Sequence, residues 1–158
     1  MSIRSSVQKA SPVSLEKLRQ SAAEVGVNIP ESELDFVTPH LTERVFAKKE
    51  YLVQAGEEAM NFYFILSGLV RLFYSTLDGK EFNKGFAMEG GYAGSFHSLV
   101  LQAPCGFFVQ ALEKTRTLVL PNRLLRDLYE RHACWERLGR RNAENLAIVK
   151  EAREKELL

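Results

Sequence analysis

The 158 residues, 46% hydrophobic, 10% aromatic and 26% charged, have the composition of one globular domain and exclude a disordered chain. At this length folding removes roughly 68–70% of the unfolded surface from water, so a core can form without disulfides or metal. Twenty-one Lys plus Arg against 20 Asp plus Glu leave a net charge of +1, which excludes the basic surplus of a domain that grips nucleic-acid phosphates on its own.

The longest unbroken apolar stretch, Phe62–Leu66, falls far short of the roughly 18 residues needed to span a bilayer, and Met1–Val13 has no apolar signal core. A cytoplasmic location without membrane contact is therefore expected. Cys105 and Cys134 occur in no Cys-x-x-Cys or Cys/His spacing, which points to separate reduced thiols and no metal site.

In chain order, residues 1–13 lack apolar periodicity and read as a flexible lead-in, with Ser14 as a helix N-cap. Residues 14–42 hold two helices. In the first, Leu15, Leu18, Ala22 and Val25 recur at helical spacing until Gly26. The second opens at Pro30 and carries Leu34, Val37 and Leu41 on one side, with Pro39 disturbing its last turn. Residues 43–121 then turn to short β-rich runs: Val45–Lys48, Tyr51–Gln54, Phe62–Leu66, Leu69–Tyr74, Phe82–Ala87, Phe107–Leu112 and Thr117–Leu120. Gly-containing turns separate them, and Leu77-Asp78-Gly79-Lys80 predicts a hairpin. The pattern is mainly β with flanking helices, a sandwich or roll.

Residues 122–158 are helical, with Asn122 expected to cap a run containing Leu124, Leu125 and Leu128. A second run from Cys134 continues to the end. There Leu138, Asn142, Leu146, Val149, Arg153 and Leu157 form one narrow stripe, which suits pairing with another helix better than burial on a wide sheet. Asn142 in such a seam would fix register at some cost in stability. Packing on the chain's own β-region is the competing reading. The helix stops in mid-pattern at Leu158, and a further segment is expected to follow.

Three motifs give this order an identity: Ala55-Gly56-Glu57 before a strand, Tyr63 to Arg71 across strand, turn and strand, and Ala111-Leu112-Glu113 leading into Thr115–Pro121. Over roughly residues 30–158 the chain resembles the sensor domain of the Crp/Fnr family of bacterial transcription regulators. The resemblance implies a cyclic-nucleotide-binding-type β-roll, or double-stranded β-helix, with N-terminal helices and a long C-terminal dimerisation helix. It also implies a homodimer that reaches DNA only through an appended helix-turn-helix domain, a module that needs helices beyond those present here.

In that family a cassette opened by Gly-Glu and closed by Pro-Arg-Ser/Thr-Ala holds the nucleotide. The Arg pairs with phosphate, helix-terminal N–H groups add donors, and the Glu accepts from the ribose hydroxyl. The matching segment here is Gly94-Ser95-Phe96 and then Pro104-Cys105-Gly106-Phe107. Ser95 replaces Glu, Cys105 replaces Arg, and bulky Phe107 replaces the small closing residue. A buried phosphate without a paired charge costs several kcal/mol, so ordinary cyclic AMP or cyclic GMP binding is not expected.

Three alternatives stay open: a cyclic nucleotide held by another cation, such as Arg71, Arg116 or Arg123; a less anionic effector; or no ligand, with Phe107 filling the pocket of a dimerisation module. Restoring Ser95→Glu and Cys105→Arg would gain nucleotide affinity if the backbone is kept. Cys105 could serve as a redox sensor only with a depressed pKa, and filling space is its simpler role. No cofactor or metal is expected, since two cysteines cannot supply the usual iron–sulfur ligands and His97 alone is weak evidence for haem. His40, His97 and His132 do not form a cupin-like set, and no hydrolase, P-loop or HExxH motif occurs, so the chain is not expected to be an enzyme.

Overall fold

The structure is a computed structural model that describes residues 7–158; Met1–Ser6, part of the expected flexible lead-in, lie outside it. The rest of that lead-in is not unstructured. Val7–Lys9 forms strand β1, paired antiparallel with β2 (Thr42–Phe46). Helix α1 (Pro12–Glu24) is capped by Ser11, not Ser14: Ser11 has extended backbone and accepts from the Ser14 N–H at 3.2 Å, while Pro12 occupies the first turn, where its missing N–H costs nothing. The buried Glu43 carboxylate of β2 accepts from the Ser11 N–H and the Ser14 hydroxyl, tying the start of α1 to the sheet.

The second predicted helix is α2 (Glu31–Val37), followed by a 3-10 turn at Thr38–His40 around Pro39. The roll continues with β3 (Tyr51–Val53), β4 (Asn61–Ser67), β5 (Leu69–Ser75), β6 (Glu81–Met88), β7 (Tyr92–Ala93), β8 (Phe108–Ala111) and β9 (Thr115–Pro121), with α3 (Phe96–Leu101) between β7 and β8. Helices α4 (Asn122–Arg131) and α5 (Ala133–Glu156) complete the described chain. Among the described residues no helix is long and apolar enough to cross a membrane.

Two antiparallel sheets, β1-β2-β9-β4-β7 and β3-β8-β5-β6, face each other. Strand alternation places Phe62, Phe64 and Leu66 of β4 and Leu118 and Leu120 of β9 against the helices, whereas Tyr63, Ile65 and Val119 enter the core between the sheets. Burial on both faces explains why β4 is the longest apolar run in the sequence. Each such side chain contributes about 1.5–3 kcal/mol of burial.

The predicted hairpin joins β5 to β6, with Ser75 opposite Glu81 and Gly79 at φ 84°. Its loop is five residues, Thr76–Lys80, and Asp78 is not left-handed; Thr76 N–H donates to the Lys80 carbonyl. Farther along the pair, the register moves from Leu72–Gly85 to Phe73–Asn83 and leaves Lys84 as an extra residue, a β-bulge.

Asn122 does not cap α4. Pro121 holds that position, and Asn122 instead donates from Nδ2 to the Ala59 carbonyl at 2.7 Å, anchoring α4 to the loop before β4. The start of α5 is fixed by two devices. His132 Nδ1 accepts from the Cys134 N–H at 3.0 Å, and the buried Glu33 carboxylate of α2 accepts from Trp135 Nε1 and Arg131 Nε, each at 3.0 Å. Leu138 packs in the same core. From Glu144 onward every residue of α5 is solvent-exposed.

Gly68, in the turn between β4 and β5, has φ 108°, and a Cβ there would lie 2.7 Å from the Thr115 Cα and 2.8 Å from the Lys114 carbonyl oxygen. Gly68→Ala is expected to cost about 2–3 kcal/mol, read by urea unfolding, from left-handed strain and backbone overlap together; a loss below about 0.5 kcal/mol would contradict this account.

Glu33 supplies a pH dependence. Burial acts to raise its pKa, but hydrogen bonds from Trp135 and Arg131 and the nearby positive charges outweigh it and hold the carboxyl below its ordinary 4.5. A depressed carboxyl binds fewer protons folded than unfolded, so its stabilisation is complete above the ordinary value and is lost as pH falls through the folded one. Stability should therefore decline as pH falls below the ordinary carboxylate value of 4.5, and Glu33→Gln should flatten that slope; parallel curves for the two proteins would refute the assignment.

Candidate ligand cavity

The cassette segment is built around α3. Ser95, 1% exposed, caps this helix by accepting from the Ser98 N–H at 3.1 Å. Ser98, fully buried, accepts from the Ala59 N–H at 3.1 Å and donates to the Ala103 carbonyl at 2.8 Å. The Ala55-Gly56-Glu57 turn clamps the far end: Gly56 N–H donates to the Cys105 carbonyl and Cys105 N–H donates to the Glu57 carbonyl, both at 2.8 Å. That pairing explains the turn's place in the sequence pattern. Gly94 is required by close approach, since a Cβ there would lie 2.6 Å from the Phe62 ring.

Between this segment, β6 and the helices α1, α4 and α5 lies a cavity of about 610 Å³, mostly apolar in its wall. Its volume is that of a small-molecule site. Gly94, Ser95, Phe96 and Phe107 of the cassette line it together with Leu138, Asn142, Leu146 and Val149 of the predicted helix seam. In the alternative without a ligand Phe107 would fill the pocket; here its ring stands in the wall, 6.1 Å from Tyr74 in an edge-to-face contact, and leaves the space open.

The remaining sequence-predicted residues lie elsewhere. Cys105 is 2% exposed, packs in the core between the sheets and donates its thiol to the Phe107 carbonyl at 3.4 Å. Gly106 is exposed beside it, outside the cavity wall. Leu157 is 87% exposed at the end of α5. The seam is thus divided and is not one outward stripe: Leu138 belongs to the chain's own core, Asn142, Leu146 and Val149 face the roll across the cavity, and Leu157 is free of both. A stripe of that spacing suits a curved wall over a cavity as well as a partner helix.

None of the three arginines considered as a substitute cation lines the cavity. Arg71 pairs with Glu81 at 2.8 Å and lies over the Phe73 ring at 3.9 Å, so it is engaged and not solvated. Arg116 pairs with Glu43 at 3.4 Å, and Arg123 is exposed in the first turn of α4.

Sequence reasoning missed Lys84, Tyr92, Tyr129 and Trp135, all in the wall. Lys84 is aimed there by the β6 bulge, with its ammonium 5.3 Å from the centre of the Phe107 ring. Tyr92 carries a buried hydroxyl, near Ser21 and Asn142, that meets no partner in hydrogen-bond geometry. Burial pushes its pKa up to about 12, so it remains a neutral phenol able to donate. Among the described residues no group of three or more His, Cys, Asp or Glu is placed to hold a metal ion.

Comparison with known proteins agrees with this architecture. Residues 43–132 match the family described as Cyclic nucleotide-binding domain. No curated protein sequence matches the chain. Among solved structures it is similar to a cyclic nucleotide-binding domain from Methylobacillus flagellatus, with TM-score 0.78, 12% identity, and 97% of this chain and 86% of that one covered. It is similar to the Thermus thermophilus catabolite activator protein, with TM-score 0.67, 22% identity, and 84% and 61% covered. The sensor domain of the transcriptional regulator DNR from Pseudomonas aeruginosa aligns with TM-score 0.61, 19% identity, and 92% and 89% covered. At these identities the likeness is one of fold. The family match, over more than half of its length, makes this chain a member of the cyclic nucleotide-binding domain family, Crp/Fnr-like in its fold.

Proposed function

We propose that this chain is a non-catalytic, effector-sensing domain of a Crp/Fnr-like cytoplasmic transcription regulator, that its effector is not an ordinary cyclic nucleotide, and that α5 carries the output. The open cavity beneath α5 is the observation that supports this reading. A domain serving only as a dimerisation scaffold gains packing energy by filling such a space, because interiors are otherwise close-packed. The cassette's lack of both the carboxylate and the guanidinium argues against a nucleotide as occupant.

The mechanism is a population shift. An effector that contacts the roll and α5 together favours the position of α5 in which both contacts are made, and the helix passes that bias on. Ile148, 64% exposed on the free half of α5 and outside the cavity wall, supports pairing with the same helix of a second copy. DNA contact then falls to an appended helix-turn-helix domain. The Thermus protein, a catabolite activator, and the Pseudomonas protein, a transcriptional regulator's sensor domain, are compatible with that assignment.

Melting curves with millimolar cyclic AMP or cyclic GMP should show no saturable shift, although a ligand at about 100 times its dissociation constant stabilises by about 2.7 kcal/mol. A saturable rise with either would replace this reading with a nucleotide sensor using another cation. The location of Cys105 also revises the restoration experiment. Cys105→Arg would bury a guanidinium among Val70, Val109 and Ala111, so it should cost about 3 kcal/mol in urea unfolding, alone or with Ser95→Glu. Unchanged stability would mean that the side chain escapes to the cavity.

A further inference from the structure

Full charges in the cavity wall are few: Glu24, exposed at the end of α1, and Lys84. Lys84 stands out because its position works against a cation. Burial lowers its pKa most, Lys150 and Arg153 of α5 lower it further, and no carboxylate offsets them. Arg153 donates to the Lys84 carbonyl, which brings the end of α5 onto the bulge. Among the described residues neither Lys84, Lys150 nor Arg153 takes part in an ion pair. Three cations without a counter-ion, one of them half-buried beside an aromatic ring, raise the energy of the empty domain and lower that of a domain holding an anion.

We infer that the cavity binds an organic anion with an apolar body, its carboxylate seated at Lys84 in the wall, with Lys150 and Arg153 of α5 adding positive charge from beside the wall, so that charge is recognised from β6 and α5 and not from the cassette. This rests on reading the cavity as the effector site and names the class of effector. The apolar wall takes the body of the molecule, and the Tyr92 hydroxyl offers a donor along its length. The arrangement also links binding to output, because an anion at the cluster joins β6 to the free half of α5 and neutralises the repulsion between them.

Trp135, the chain's one tryptophan, lies in the wall and reports occupancy by its fluorescence. Titration with dodecanoate below its micellar concentration should saturate, and dodecanol of the same length should bind at least about tenfold more weakly. Lys84→Met should weaken dodecanoate by about tenfold, leave dodecanol unchanged and raise the melting temperature of the empty protein, since a half-buried charge is removed. Lys150→Gln, at an exposed position, keeps the test valid if Lys84→Met disturbs the bulge, and it should weaken dodecanoate in the same direction.

Equal binding of dodecanoate and dodecanol would overturn the proposal while leaving an apolar effector site. Binding of neither, or dodecanoate binding indifferent to both substitutions, would overturn it as well. Saturation by cyclic AMP alone would overturn both this proposal and the reading on which it rests. If the substitutions instead weaken self-association in sedimentation equilibrium and leave dodecanoate binding intact, the cations serve a partner's carboxylates and the inference fails.

Discussion

The position of α5 depends on one buried carboxylate. Glu33 accepts from the Trp135 indole and from Arg131, and so joins α2 to the first turn of α5 across about a hundred residues of chain. Without that link the indole N–H would be buried unpaired, at about 1–3 kcal/mol. With it, α5 leaves the core at Leu138 in a fixed direction and passes over the roll with a gap beneath it. The cavity is therefore a consequence of where α5 is pinned, and its wall is shared between a firmly packed part and a lightly held part.

The firmly packed part is the two-sheet roll. Strands β4 and β9 are buried on both faces, so their register is held by two cores at once. The cassette is held equally firmly, by the Ser95 and Ser98 hydroxyls and by the backbone pairing of Cys105 with the Gly56–Glu57 turn. The lightly held part is α5 beyond Asn142, exposed from Glu144 onward and returned to the roll at Arg153. Few buried contacts on a long helix are what a regulatory element requires, because its position can then be shifted by a ligand worth a few kcal/mol.

Much of the fold was legible because the physics that builds it is local. Short β-rich runs between Gly-containing turns marked seven strands, Asp78-Gly79 marked the hairpin, and three motifs marked the family. Two strands escaped. All of β1 is exposed and β7 has only two residues, so neither carries the alternation that sequence reading relies on. Capping was misassigned twice, Ser14 for Ser11 and Asn122 for Pro121, because Pro at a helix start moves the boundary by a residue or more and a buried Asn found a tertiary partner instead. The site was legible only in part. Aligning the cassette located Gly94, Ser95, Phe96 and Phe107, but Lys84 enters through a one-residue bulge that flips the facing of a strand and leaves no mark in composition. Trp135 and Tyr129 carry no sequence signal that sets them apart from the core they pack in.

The central claim is that the cavity and α5 form one unit, so that occupancy is felt by the helix. Amide hydrogen exchange along α5, measured on the chain alone and with saturating dodecanoate, tests it most directly. The account predicts slower exchange from Asn142 to Arg153 on binding, with little change in β4 and β9, which are already protected by burial on both faces. Bound dodecanoate with unchanged exchange throughout α5 would contradict it.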